Sequence, residues 1–211
     1  MPAVVSIVGK SSTGKTTFLE KLLRELSGRG YKIATIKHSH HSIDFHDPKK
    51  DSYRHSQAGA VATMVSSTTS LQIIKPVPQE LKIEELVRNY GEDFDLILTE
   101  GFSRGDAPKI EIHRKDAGPL LEVATNIIAV VTDEVLETSV PQFGLEDVKA
   151  VADLIEVKYI KSNRERLSFF INGKKLELKQ LPSEILPQLL AALKSELPTA
   201  DIHSLEVFYK K

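Results

Sequence analysis

The apolar positions of the chain fall into short runs and longer periodic stretches. Ala3-Val4-Val5-Ser6-Ile7-Val8 is a compact apolar run that stops at Gly9, the pattern of a strand buried on both faces of a parallel sheet. Phe18, Leu19, Leu22, Leu23 and Leu26 then recur at helical spacing until Gly28 and Gly30. Lys32-Ile33-Ala34-Thr35-Ile36 reads as a second strand. A strand–helix–strand unit of roughly thirty residues is what a right-handed parallel crossover requires. Further strands are predicted at Val61–Val65, Leu71–Ile74, Leu96–Thr99, Ile110–His113 and Ile127–Val131, with helices near Ser52–Gly59, Ile83–Asn89 and Leu145–Ile155. This alternation predicts an α/β domain with a mainly parallel central sheet.

The pattern changes after residue 160. Leu167–Ile171 and Lys175–Leu178 flank Asn172-Gly173, a two-residue hairpin signal. Pro182 and Ser183 precede a helical stripe of Ile185, Leu186, Leu189, Leu190 and Leu193, and Leu205–Tyr209 reads as a closing strand. The expected organisation is therefore a main domain over 1–160 and a small C-terminal α+β extension over 161–211, joined at Lys161–Arg166. About 45 residues make a small core, so the extension is expected to pack on the main domain or on another subunit.

Composition narrows the class without naming a function. The 211 residues are 41% hydrophobic and include no run of 18 apolar positions, which excludes a spanning helix and any membrane role built on one. Met1-Pro2-Ala3-Val4-Val5 enters the first strand without a basic leader, and cysteine is absent, so a cytoplasmic location is expected. The net charge of −1 hides a split. Residues 1–60 hold ten Lys/Arg against five Asp/Glu, whereas residues 80–160 hold eight against eighteen. A ligand with anionic and metal-binding parts could use both halves; an uneven solvated surface would look the same.

The chemistry begins at Gly9-Lys10-Ser11-Ser12-Thr13-Gly14-Lys15-Thr16, which matches G-x-x-x-x-G-K-[ST] between a strand and a helix. Glycines let backbone N–H groups approach an anion closely, and the helix N-terminus adds partial positive charge. In such a loop Lys15 reaches the β and γ phosphates and the Thr16 hydroxyl ligates Mg²⁺. Phe94–Gly101 is an apolar strand that ends in Glu100, placing a carboxylate at the sheet edge where open α/β folds bind ligands. Glu100 is the expected second Mg²⁺ ligand, and the Gly101 N–H could meet a terminal phosphate. Nucleotide binding is the strongest inference from the residues alone.

The segment Lys37–Arg54 leaves the second strand carrying four histidines and three aspartates. Two readings stay open for it: a transition-metal site, or recognition of an anionic ligand by Lys37, His38 and Arg54 with Asp51 assisting Mg²⁺. The basic residues adjoin a phosphate loop and no aromatic-basic stripe follows, which argues against a nucleic-acid partner.

Gly14-Lys15-Thr16-Thr17, Ile36-Lys37-His38-Ser39-His40-His41, Lys50-Asp51-Ser52 with Ala58-Gly59-Ala60, Leu98-Thr99-Glu100-Gly101-Phe102 and Pro108-Lys109-Ile110-Glu111 occur in one order. In that order they resemble the molybdopterin-guanine dinucleotide biosynthesis protein B (MobB) family over about residues 1–135. The resemblance implies a dimeric P-loop NTPase fold, GTP with Mg²⁺, weak GTPase activity, and work beside the guanylyltransferase MobA, with the molybdopterin cofactor as a further ligand. It carries phosphate binding to Gly9, Lys10, Ser11, Ser12, Thr13, Gly14, Lys15, Thr16 and Thr17, Mg²⁺ to Thr16 and Glu100, and the adjoining site to Lys37, His38 and Asp51. The family reads Glu-Gly-Phe-Lys where this chain has Ser103, so no role transfers there. No Asn-Lys-x-Asp stands in the chain; Asp133, at the end of Ile127–Val131, could accept from guanine N1–H and N2–H or be an ordinary turn residue.

Two other functions fit the residues. A metallochaperone GTPase would load metal at His38, His40, His41 and His46. A small-molecule kinase would grip its acceptor with Lys37 and Arg54 and use Asp44, Asp47 or Asp51 as base.

Overall fold

The computed structural model describes residues 2–39, 50–90, 94–163, 169–171, 174–176, 188 and 191. The chain divides into two compact units, Met1–Arg166 and Leu167–Lys211.

The first unit is built on six parallel strands. β1 (Ala3–Val8) is flanked by β5 (Leu96–Glu100) and β6 (Lys109–Ile112); β2 (Ile33–Lys37) lies beyond β5, and β7 (Ile127–Val131) and β8 (Gln142–Phe143) lie beyond β6. Ala3 pairs with Leu96 and Ile7 with Glu100, so the phosphate loop and the strand-end carboxylate leave the sheet side by side. The chain moves to one side of β1 for β2 and to the other for β6, which opens a crevice at the carboxyl ends of the central strands.

The two faces of the sheet are covered differently. Alternate residues Val5 and Ile7, Leu96 and Leu98, and Ile110 and Ile112 bury one face against α1 (Lys15–Gly28) and α4 (Val148–Ile155). Each buried Leu or Ile there contributes on the order of 2 kcal/mol. On the opposite face, Ile97 and Ala34 meet Val87 of α3 (Ile83–Tyr90) in a much smaller apolar cluster. The same face carries a buried polar row of Ser6, Thr99, Lys109, Glu111, His113 and Thr132. Burial of such groups costs free energy unless they are bonded, and they are. Thr99 Oγ1 donates to Ser6 Oγ at 2.8 Å, and Lys109 Nζ donates to the carbonyls of Gly105, Ala107 and Thr125. Glu111 Oε1 accepts the Leu121 N–H at 2.8 Å.

β3 (Thr63–Ser66) and β4 (Leu71–Ile74) depart from the expected parallel sheet and form a separate antiparallel pair. The reason is connection length: a parallel crossover needs a dozen or more residues, and only Ser67–Ser70 intervene. Ser67 Oγ accepts the Ser70 N–H at 2.9 Å and closes the turn. α2 (Asp51–Gln57) forms as expected and ends at Gly59, whose φ of 104° suits glycine. α4 starts at Val148 rather than Leu145, because Asp147 Oδ2 accepts the Gly144 N–H and holds the preceding turn.

In the second unit β9 (Phe169–Ile171) pairs antiparallel with β10 (Lys174–Leu176), Ile171 opposite Lys174. The intervening Asn172-Gly173, the stripe residues Ile185, Leu186, Leu189, Leu190 and Leu193, and the predicted strand Leu205–Tyr209 lie outside the described residues. Among the described residues no helix is long and apolar enough to cross a membrane.

Candidate phosphate and metal site

The loop after β1 has the backbone of an anion cradle. Gly9, Ser12 and Gly14 have positive φ values of 146°, 64° and 91°. A Cβ on Gly9 would drive into the Ile112 carbonyl oxygen, so the close approach of the loop to β6 requires glycine. The buried Thr13 hydroxyl donates to the Lys10 carbonyl at 3.0 Å. The Phe18 N–H donates to Gly14 at 2.9 Å, starting α1 inside the loop. The Lys15 ammonium lies on the Lys10 carbonyl at 2.6 Å. Burial holds the Lys15 pKa below the ordinary lysine value, with Glu100 opposing that shift and Lys37 adding to it.

Thr16 and Glu100 meet at this loop: Thr16 Oγ1 donates to Glu100 Oε1 at 2.9 Å. Lys37 Nζ stands 3.4 Å from the same oxygen. A hydroxyl and a carboxylate form the hard oxygen donor set that suits Mg²⁺. Gly101, with φ 105°, follows Glu100 and donates its N–H to the Ile7 carbonyl. His38 packs against the next residue, Phe102, with ring centroids 4.6 Å apart, and its Nε2 lies 2.6 Å from Glu80. Phe102 has a φ of 58°, a strained value for a bulky residue, directly beside this contact.

Other expected site residues lie elsewhere. Asp51 is at the start of α2, where its carboxylate pairs with Arg54 at 3.3 Å. Ser11 and Thr17 are exposed on the loop and first turn. Asp133 lies beyond β7; its Oδ1 accepts the Lys115 N–H at 2.9 Å and its Oδ2 accepts from Arg114 at 3.2 Å. The Lys115 N–H, then Arg114, hold the Asp133 carboxyl below the usual aspartate range. His40, His41, His46, Asp44 and Asp47 lie outside the described residues; among those described, no cluster of three His, Cys, Asp or Glu could hold a metal.

Sequence reasoning missed Glu80 and Arg114. Glu80 lies on the connection between β4 and α3 and Arg114 on the turn after β6, far from the loop in sequence, and no local motif marks them.

A family profile described as molybdopterin guanine dinucleotide synthesis protein B matches residues 4–133. The chain belongs to the MobB family. An Escherichia coli relative named molybdopterin-guanine dinucleotide biosynthesis adapter protein is 36% identical over 161 residues, 74% of this chain and 92% of that protein. A Haemophilus influenzae protein of the same name is 34% identical over 155 residues, covering 72% and 87%. The crystal structure of Bacillus subtilis MobB superposes with a TM-score of 0.60 at 28% identity, covering 74% of this chain and 98% of that one. These MobB neighbours share the P-loop NTPase fold described above.

Proposed function

We propose that the protein binds GTP with Mg²⁺ in the β1–α1 loop and serves as an accessory in molybdopterin guanine dinucleotide formation. The observation that carries this reading is the Thr16–Glu100 contact beside Lys15 and Lys37, at the carboxyl ends of β1 and β5. Family membership and the adapter names of the relatives supply the biosynthetic context.

The residues have separable tasks. The loop N–H groups and Lys15 bind phosphate oxygens, and Thr16 and Glu100 hold Mg²⁺, which neutralises phosphate charge when bound. Lys37 and His38 stand on the Glu100 side and face an anionic second ligand, for which molybdopterin is the candidate. Glu100 is committed to Thr16 and Lys37, and Asp51 to Arg54, so neither is placed to take a proton from water. Weak GTPase activity and a role in supplying GTP to a MobA-type guanylyltransferase complete the proposal. Reconstitution with that transferase at limiting GTP tests the reading. Faster dinucleotide formation in the protein's presence is expected; no enhancement overturns it.

The dimer rests on a different observation. Met64 and Ile73 sit opposite each other on the β3–β4 pair and are 62% and 57% exposed, with Leu71 further along the same face. An isolated two-stranded pair is marginal in water, so a second copy of the chain is the proposed cover.

A further inference from the structure

The turn that follows β6 wraps the phosphate loop on the side away from Glu100. Lys10 Nζ donates to the Ala117 carbonyl at 2.9 Å, and the Ala117 N–H donates to the Arg114 carbonyl at the same distance. Arg114 points back toward the start of α1. One terminal nitrogen of its guanidinium bonds Asp133, while the other lies 3.9 Å from where a Cβ on Gly14 would be. Its side chain is 45% exposed, so the donors not used by Asp133 are available beside the loop. A planar guanidinium fixed at one edge by a carboxylate presents its remaining N–H groups in a defined direction. Here that direction is the N-terminal turn of α1, where the loop gathers its N–H groups.

We propose that Arg114 is a direct phosphate ligand of the nucleotide site, and that Asp133 is the residue that positions it. This deepens the GTP-binding reading and rests on it. It also gives Asp133 a task distinct from reading the guanine base. Both of its oxygens already hold the Arg114–Lys115 turn, and the turn in turn holds Lys10. The two ends of the loop are thus served by different cations. Lys15 and Lys37 stand on the Glu100 side, and Arg114 stands on the β6 side.

The test is titration of GTP, ATP and xanthosine triphosphate, each with Mg²⁺, against the parent, Arg114→Met, Arg114→Lys, Asp133→Asn and Lys15→Ala. Loss of one charge-assisted phosphate contact predicts that Arg114→Met weakens GTP and ATP alike, by roughly 10- to 100-fold. Arg114→Lys is expected to recover only part of this, because a lysine cannot be held at one edge and still donate in a fixed plane. Asp133→Asn is expected to weaken GTP and ATP by the same smaller factor and to leave their ratio unchanged.

Parental GTP affinity in Arg114→Met overturns the phosphate role. A selective loss of GTP in Asp133→Asn, with xanthosine triphosphate gaining, makes Asp133 the base reader and overturns its positioning role. Failure of the underlying reading has a separate signature: the parent itself binds none of the three nucleotides, or Lys15→Ala binds them all as the parent does. The slope of affinity against salt is a further readout, and it is expected to flatten in Arg114→Met.

Discussion

Thr16 Oγ1 and Glu100 Oε1 are 2.9 Å apart although 84 positions separate them in sequence. The contact closes the first turn of α1 onto the end of β5, and it places two oxygen donors at one point beside Lys15. Thr16→Ala and Glu100→Gln are each expected to remove most of the gain in GTP affinity that Mg²⁺ brings, on the order of 10-fold. Affinity measured with and without Mg²⁺ checks this. A parental Mg²⁺ dependence in Glu100→Gln would remove the carboxylate from the site.

In the proposed GTP site Lys15 is the charge that binds the phosphates. Lys15→Ala is expected to weaken GTP by roughly 100-fold while thermal stability stays near the parent, since a partly buried cation with a lowered pKa adds little to the fold. Binding and melting curves on the same preparation separate the two effects.

Gly9 is a steric requirement. Gly9→Ala combines an unfavourable φ with a clash against the Ile112 backbone, and a loss of about 3 kcal/mol is expected. Chemical denaturation reports it, together with a fall in GTP affinity as the loop is pushed from β6. An unchanged midpoint with intact binding would show that the loop relaxes without consequence.

Glu111 governs a pH effect. Burial raises its pKa above the ordinary 4.5, against the Leu121 N–H, His113 and Lys10, which act to lower it. The folded protein therefore keeps a proton that the unfolded chain has released. The stabilising contribution is complete below about pH 4.5 and is lost as pH rises through the folded value. Glu111→Gln keeps an oxygen for the Leu121 N–H and abolishes that slope. Melting temperatures from pH 4.5 to 8 are expected to be flatter than the parent's and no lower at pH 7. A marked drop at pH 7 would mean that the ionised carboxylate is net stabilising.

Ile73→Glu places a charge in the centre of the exposed β3–β4 face. If this face is the proposed dimer contact, sedimentation is expected to show a dimer for the parent and a monomer for the variant, with GTP affinity retained. A parental sedimentation coefficient would move the dimer contact elsewhere.

The local features were legible before the structure. β1, α1, β5 and the Gly14-Lys15-Thr16 and Glu100-Gly101 termini follow from apolar periodicity and from motifs confined to a few consecutive residues. The residues that join separate loops were not. His38 with Glu80, and Arg114 with Asp133, are paired by the order of strands in the sheet, which periodicity does not encode. The run Lys109-Ile110-Glu111-Ile112-His113 shows why burial was harder to read than secondary structure. Its alternation suggests one wet face, yet all five side chains are buried. The segment from Lys115 to Asn126 supplies the missing cover, with backbone groups that satisfy the polar face. The short spacing between the expected strands Val61–Val65 and Leu71–Ile74 was visible and should have marked a hairpin.

Lys109 gives that cover its independence. Its ammonium is held by carbonyls from the chain on both sides of it, the position a structural cation would occupy in another framework. A cation carried on a side chain cannot be chelated or exchanged. Stripping divalent ions from the protein should therefore empty the proposed Mg²⁺ site at Thr16 and Glu100 and leave the scaffold around β6 standing.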